Sequence, residues 1–148
     1  MSKENIASVK GLDLPISTKK SIAICNFIRN KYLQKARNHL TLTLEKKKAI
    51  PLRRYNSDRA HRKGKVGPGF FPEKASKEII YLLNSLEANA RQKGLNTNSL
   101  FLKTAIANRA SIPITLGRQR RATKRTHIEL AAIEKIIKKS SKDKPSAK

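Results

Sequence analysis

The sequence predicts an α+β fold: a small domain of about three helices packed on a small antiparallel sheet, with a long projecting β-hairpin and a basic terminal tail. Three observations carry this. An apolar stripe at helical spacing lies between Pro72 and Gly94. Two runs with a period of two, 100–107 and 126–133, flank a long cationic connection. Finally, 34 Lys and Arg against 10 Asp and Glu leave a formal charge of +24 on 148 residues. The length suits one domain over 1–134, with 53–71 as a basic loop insertion, 108–125 as a projecting arm and 135–148 as a disordered basic tail.

Along 17–30, Ile22, Ile24, Phe27 and Ile28 recur at roughly helical spacing behind Ser17, a residue suited to an N-cap. Cys25 among them reads as a packing residue, since no base neighbours it and a disulfide needs a second cysteine. Tyr32, Leu33, Ala36, Leu40 and Leu44 continue a helical stripe that ends near Lys48, with the β-branched Thr41 and Thr43 weakening its last turns. From Arg53 to Gly69 the chain holds many cations, the acid Asp58, and the glycines Gly64, Gly67 and Gly69, a basic loop without its own core.

Pro72 suits a first helical position and Gly94 the residue past the end. Between them Ala75, Ile79, Leu82, Leu83, Leu86 and Ala90 repeat at three and four residues, so this is the core helix. Glu73 and Glu78 lie in its first turns, where carboxylates meet the helix dipole favourably. Next, Leu100, Leu102, Thr104 and Ile106 share one side of a strand, and Ile128, Leu130 and Ala132 one side of another. His127 is expected to pack or hydrogen-bond at the sheet edge. The connection 108–125 is too long for a tight turn and contains no acid; with Pro113 and Gly117 near its middle it predicts an arm extending beyond the core.

A charge of this size calls for a polyanion, because self-repulsion destabilises the compact chain until phosphates neutralise it. Arginine predominates in the arm, where its planar fork grips phosphate or stacks on unpaired bases; the lysines of the tail suit diffuse neutralisation. Tyr55, Phe70 and Phe71 are candidate stacking platforms, although Phe70 and Phe71 precede the core helix and packing beneath it is the more economical role. Apolar runs such as 49–52 are too short to span a bilayer, so no membrane partner is expected, and 1–10 lacks the apolar stretch of a secretory signal. His39, His61 and His127 lack metal-ligand spacing, and the glycines of the loop match no nucleotide motif. With few acids and no paired carboxylates or nucleophile elbow, neither catalysis nor a cofactor is expected. An RNA-processing enzyme would need an unusual site. A DNA-architectural protein using the arm in a minor groove is the principal alternative, but such proteins dimerise and no extended apolar dimer surface stands out here; no homo-oligomer is expected.

Five motifs occur in order: Arg53-Arg54-Tyr55-Asn56; Gly67-Pro68-Gly69 before Pro72; Glu87-Ala88-Asn89-Ala90 with Lys93-Gly94-Leu95; Leu116-Gly117-Arg118; and Thr126-His127-Ile128-Glu129. Over about 17–133, and most specifically over 67–95, the chain resembles the universal large-subunit ribosomal protein twenty-two family, called seventeen in eukaryotes. The arginine-rich loop before Pro72 is similar to the archaeal and eukaryotic form. The resemblance implies a structural constituent of the large subunit that binds ribosomal RNA near the nascent-peptide tunnel exit, threads its hairpin arm through RNA toward the tunnel, and serves translation and subunit assembly.

It further implies large-subunit ribosomal RNA and neighbouring ribosomal proteins as partners, contact with the nascent chain, and a cytoplasmic location with nucleolar assembly if the source is eukaryotic. By position, RNA contacts fall to Arg53, Arg54, Tyr55, Arg59, Arg62, Lys63 and Lys65 of the loop, Lys74 and Lys77 of the core helix, and Arg109, Arg118, Arg120, Arg121, Lys124 and Arg125 of the arm. Ile112, Pro113, Ile114, Thr115, Leu116 and Gly117 form the expected tunnel-facing tip. The chain departs from the family in two places. Its segment 110–116 is short and uncharged where the ascending strand is usually longer and richer in arginine, which shortens the expected reach of the tip. Phe70 and Phe71 also stand where the family commonly carries a basic residue.

Overall fold

The computed structural model describes residues 6–64, 66–114, 118 and 122–135. In chain order these form β1 (Ile6–Leu14), α1 (Thr18–Ile28), α2 (Leu33–Leu44), β2 (Ile50–Pro51), β3 (His61–Arg62), β4 (Gly67–Phe70), α3 (Glu73–Gln92), β5 (Leu100–Arg109) and β6 (Thr126–Glu134). The main sheet is antiparallel in the order β1-β6-β5, and the helices pack on its inner face, α3 against β1 and α1 against β5. The fold is thus α+β.

The core helix forms where its spacing places it. Ile79, Leu83, Leu86 and Ala90 of α3 are fully buried, each leucine or isoleucine contributing roughly 1.5–3 kcal/mol by leaving water. Pro72 is the N-cap of α3, one position before the expected one, and its carbonyl accepts from Ser76 N at 2.9 Å. The far end closes on Gly94 at φ +72°: Leu95 N donates to Ala90 O at 3.0 Å and Gly94 N to Arg91 O at 3.0 Å, capping the last carbonyls while Leu95 enters the core. Ser17 does cap α1 by position, but its hydroxyl makes no capping bond. α2 stops at Leu44, short of the expected Lys48. There the hydroxyls of Thr41 and Thr43 bond back to Arg37 O and His39 O, and Lys46 takes φ +58°.

Several features differ from the sequence reading. β1 was not expected. Its buried positions, Ala7 and Gly11, are too small to show an apolar alternation, yet it pairs with β6 from Ile6↔Ile133 to Leu14↔Thr126. A Cβ on Gly11 would lie 2.9 Å from Leu82 Cδ1, so α3 approaches the strand closely there. In β5, a register shift between Leu102 and Thr104 breaks the period of two: Leu100, Leu102 and Ala105 are buried, whereas Ile106 is turned outward. On β6, Ile128, Leu130 and Ala132 all face the core as expected. His127 lies on this central strand, not at an edge, and its Nδ1 accepts from Asp13 N at 3.1 Å. Finally, the loop of 53–69 is not free of regular structure. Within it β3 and most of β4 join β2, which precedes the loop, in a second small sheet, β2-β4-β3, moored by the fully buried Ile50 opposite Phe70, which packs against the core.

Candidate nucleic-acid interface

The arm grows directly out of the main sheet. Pairing of β5 with β6 runs to Asn108↔His127 and Arg109↔Thr126; beyond it Ala110 N donates to Arg125 O at 3.3 Å. Farther out, Ile114 and Ala122 form an antiparallel bridge, and both the N–H and the hydroxyl of Thr123 donate to Pro113 O at 3.3 Å. Arg109, Arg118 and Lys124 are exposed. Arg125 is only half-exposed because its Nη1 donates to Asp13 O at 2.9 Å, tying the base of the arm to the end of β1. Of the expected tip, Ile112 is half-buried while Pro113 and Ile114 are exposed, Ile114 to 72%. Thr115, Leu116, Gly117, Arg120 and Arg121 lie outside the described residues, as does Lys65 of the loop.

The loop residues Arg53, Arg54, Tyr55, Arg59, Arg62 and Lys63 are all exposed. They do not act alike. Arg62 is committed to the loop itself, its Nε donating to Gly69 O at 3.4 Å and its guanidinium lying 5.3 Å from the Phe71 ring. Phe70 is half-buried and packs against the core, and Phe71 is half-buried under the Arg62 guanidinium. Tyr55 takes φ +59°, and its ring is flanked by Arg54 Cζ at 5.0 Å and by Lys19 Nζ at 4.9 Å.

Lys19 belongs to α1, and with it the structure brings in a wall that sequence reasoning missed. Lys19, Ile22, Ala23 and Asn26 recur at three and four residues, a second face of α1 beside the one that is buried. Ile22 and Phe27 of the apolar stripe are half-buried, Phe27 packing against the core. They border a cleft of about 350 Å³ between α1 and the segment 51–55, to which Arg53, Arg54 and Tyr55 contribute the opposite wall. The missed signal was the spacing of Lys19 and Asn26 on the same helix as the core stripe. Lys74 finds other company: it shares a smaller cleft of about 210 Å³ with Lys20 and Lys124, so the start of α3 and the base of the arm converge there. Lys77 is exposed on α3 outside that cleft.

Electrostatics mark the α1–α2 corner as cationic. Burial, with Lys48 and Lys35 adding repulsion, lowers the Lys31 ammonium below the usual lysine value. The same causes, burial first and then Lys48, Lys31 and Lys35, lower His39, whose ring meets Phe27 edge-on at 5.5 Å. Lys31 Nζ stands 3.4 Å from the Phe27 ring centroid. Burial pushes the Cys25 thiol up to about 12, against the opposing pull of Arg29, so it is a packing group. Among the described residues no group of His, Cys, Asp and Glu is arranged to hold a metal ion, and no helix is long and apolar enough to cross a membrane.

Comparison with known proteins places these features. Residues 9–135 match the family described as ribosomal protein L22p/L17e. The chain is 39% identical over 142 residues to the large ribosomal subunit protein uL22 of Nanoarchaeum equitans, covering 90% of this chain and 82% of that one. It is 40% identical over 141 residues to uL22 of Methanoculleus marisnigri, covering 88% and 91%, and 37% identical over 134 residues to uL22 of Archaeoglobus fulgidus, covering 85% and 86%. With the match running from the middle of β1 to the end of β6, through the loop and the arm, the chain belongs to the L22p/L17e family of ribosomal proteins.

Proposed function

We propose that the chain is a structural, non-catalytic constituent of the large ribosomal subunit that binds ribosomal RNA near the nascent-peptide tunnel exit. Its arm threads through RNA toward the tunnel, 1–134 acts as one unit, and 135–148 adds diffuse positive charge. The observation that carries the reading is the pairing of two cation-rich, acid-poor projections with a family of ribosomal proteins: the arm with Arg109, Arg118 and Lys124, and the loop with Arg53, Arg54, Arg59 and Lys63, all exposed. The uL22 relatives named above are proteins of the large subunit. Neighbouring ribosomal proteins, and the nascent chain at Pro113 and Ile114, are the further partners of this reading. The place of action is the cytoplasmic ribosome, after nucleolar assembly if the source is eukaryotic.

Tagged chain expressed in its source cells should co-sediment stoichiometrically with the large subunit on sucrose gradients. Recovery at the top of a gradient that preserves ribosomes would refute the reading. Equal binding to duplex DNA and to structured RNA at the same salt would instead favour a DNA-architectural protein, because only recognition of A-form shape and single-stranded elements separates the two.

A further inference from the structure

We propose that the cleft between α1 and the segment 51–55 receives a single unstacked RNA nucleotide, its base lodged against the apolar floor and Tyr55 and its phosphates held by the surrounding cations. This rests on the reading of the chain as RNA-binding and names what one surface of it would take.

Size argues first. About 350 Å³ lies near the low end of the roughly 300–1,000 Å³ of small-molecule pockets, room for one nucleotide and too little for a helical element of a protein or nucleic acid. The lining argues next. Ile22, Ala23 and Pro51 offer an apolar floor, Tyr55 offers ring surface, and the Asn26 amide supplies both a donor and an acceptor for a base edge. Around them stand Lys19, Arg29, Lys31, Arg53 and Arg54, with no carboxylate among the described residues of the lining.

Apolar and aromatic surface ringed by cations is the pattern by which proteins take unpaired bases: stacking holds the flat ring, and the flanking phosphates meet the charges. Two details strengthen it. Arg29 is fixed in place by donating through Nη2 to Ala105 O at 2.6 Å, so one charge is pre-positioned at no further ordering cost. Tyr55 is set at φ +59° at the rim of the cleft, 44% exposed as a residue, with Lys19 and Arg54 about its ring as mobile cations that an incoming base and its phosphates would draw aside. An acidic peptide would satisfy the cations but would bring no flat ring to stack on Tyr55.

The test uses the full chain, a fluorescein-labelled single-stranded RNA hexamer, and an RNA duplex of equal charge, with affinities read by anisotropy at fixed salt. Tyr55→Ser should weaken the hexamer on the order of tenfold, the size of one lost base stack, and change the duplex less than about twofold. Ala23→Arg fills the cleft while adding charge; it should also weaken the hexamer and leave the duplex unchanged or tighter. Far-UV circular dichroism checks that both variants fold. Equal losses on both RNAs, or no loss on either, overturn the proposal. So does an unlabelled polyglutamate peptide whose binding is abolished by Ala23→Arg while hexamer binding persists, which assigns the cleft to acidic protein. If the variants behave like wild type but still co-sediment with the large subunit, the cleft proposal fails and the ribosomal reading stands. If the wild-type chain binds neither RNA, the cleft proposal fails together with the broader reading.

Discussion

Replacing Glu87 with Gln tests how α2 is held on α3, and the structure sets the size of the effect. One carboxylate oxygen accepts from Arg37 of α2, and the other accepts from Arg91 Nη2, one turn along α3, at 2.7 Å. The side chains of Glu87, Arg37 and Arg91 are 14%, 31% and 69% exposed. Arg91 is therefore mostly in water, and such a pair contributes only about 0.3–0.5 kcal/mol. Arg37 is largely covered, and its Nε is buried without a hydrogen-bond partner among the described residues, so the Glu87 carboxylate carries most of its compensation. Breaking a fully buried pair costs about 3–5 kcal/mol. Discounted for the solvent that reaches Arg37, the total expected for Glu87→Gln is about 1.5–3 kcal/mol at neutral pH.

The pH dependence gives an independent check on the same pair. The bond from Arg37 first, then the charges of Arg37 and Arg91, hold the Glu87 carboxyl below the usual carboxylate range. An acid depressed in the folded state contributes its stability above the unfolded value, near ~4.3, and loses it as pH falls through the folded value. The gap between wild type and Glu87→Gln should therefore be full at pH 7 and shrink below about pH 4. Urea unfolding of the full chain, followed by far-UV circular dichroism in ~0.3 M salt to screen self-repulsion, measures both. A variant within about 0.5 kcal/mol of wild type at pH 7, or a gap that stays constant into acid, would refute the argument.

Other outcomes follow from the same packing. His39 is lowered by burial and by Lys48, Lys31 and Lys35, so the unfolded chain takes up its proton first; this stability is complete above about pH 6.5 and declines as pH falls. His39→Gln should flatten the stability profile between about pH 7 and 5, and an unchanged slope would contradict that. Cys25, with its thiol raised to about 12 and its side chain in the core, should react with iodoacetamide at least about 100-fold more slowly in the folded chain than in urea. Comparable rates in the two states would show that α1 opens readily. Gly11→Val places atoms into the space of Leu82 Cδ1 and Leu14 Cδ1, 2.9 and 3.0 Å from the first added carbon, and should cost about 1–3 kcal/mol in the same urea assay. Wild-type stability in that variant would mean that α3 does not press on β1.

What the sequence by itself determined is what depends on neighbours along the chain. α3 forms where Ile79, Leu83, Leu86 and Ala90 repeat and ends where Gly94 permits a left-handed turn. β6 was legible because Ile128, Leu130 and Ala132 alternate, and the cationic loop and arm because arginines and lysines cluster there without acids. The ordered motifs added the family. Tertiary structure decided what depends on distant partners. β1 is a strand because β6 offers it hydrogen bonds and Leu82 demands a glycine opposite, neither of which shows in its own composition. The turned-out Ile106 follows from a shift in register, which is set by pairing across the sheet. The cleft is legible only by half: Arg53, Arg54 and Tyr55 stand out as a run, whereas Lys19 and Asn26 become its other wall only when α1 lies beside that run. Spacing along a helix says which residues share a face; only packing says what that face meets.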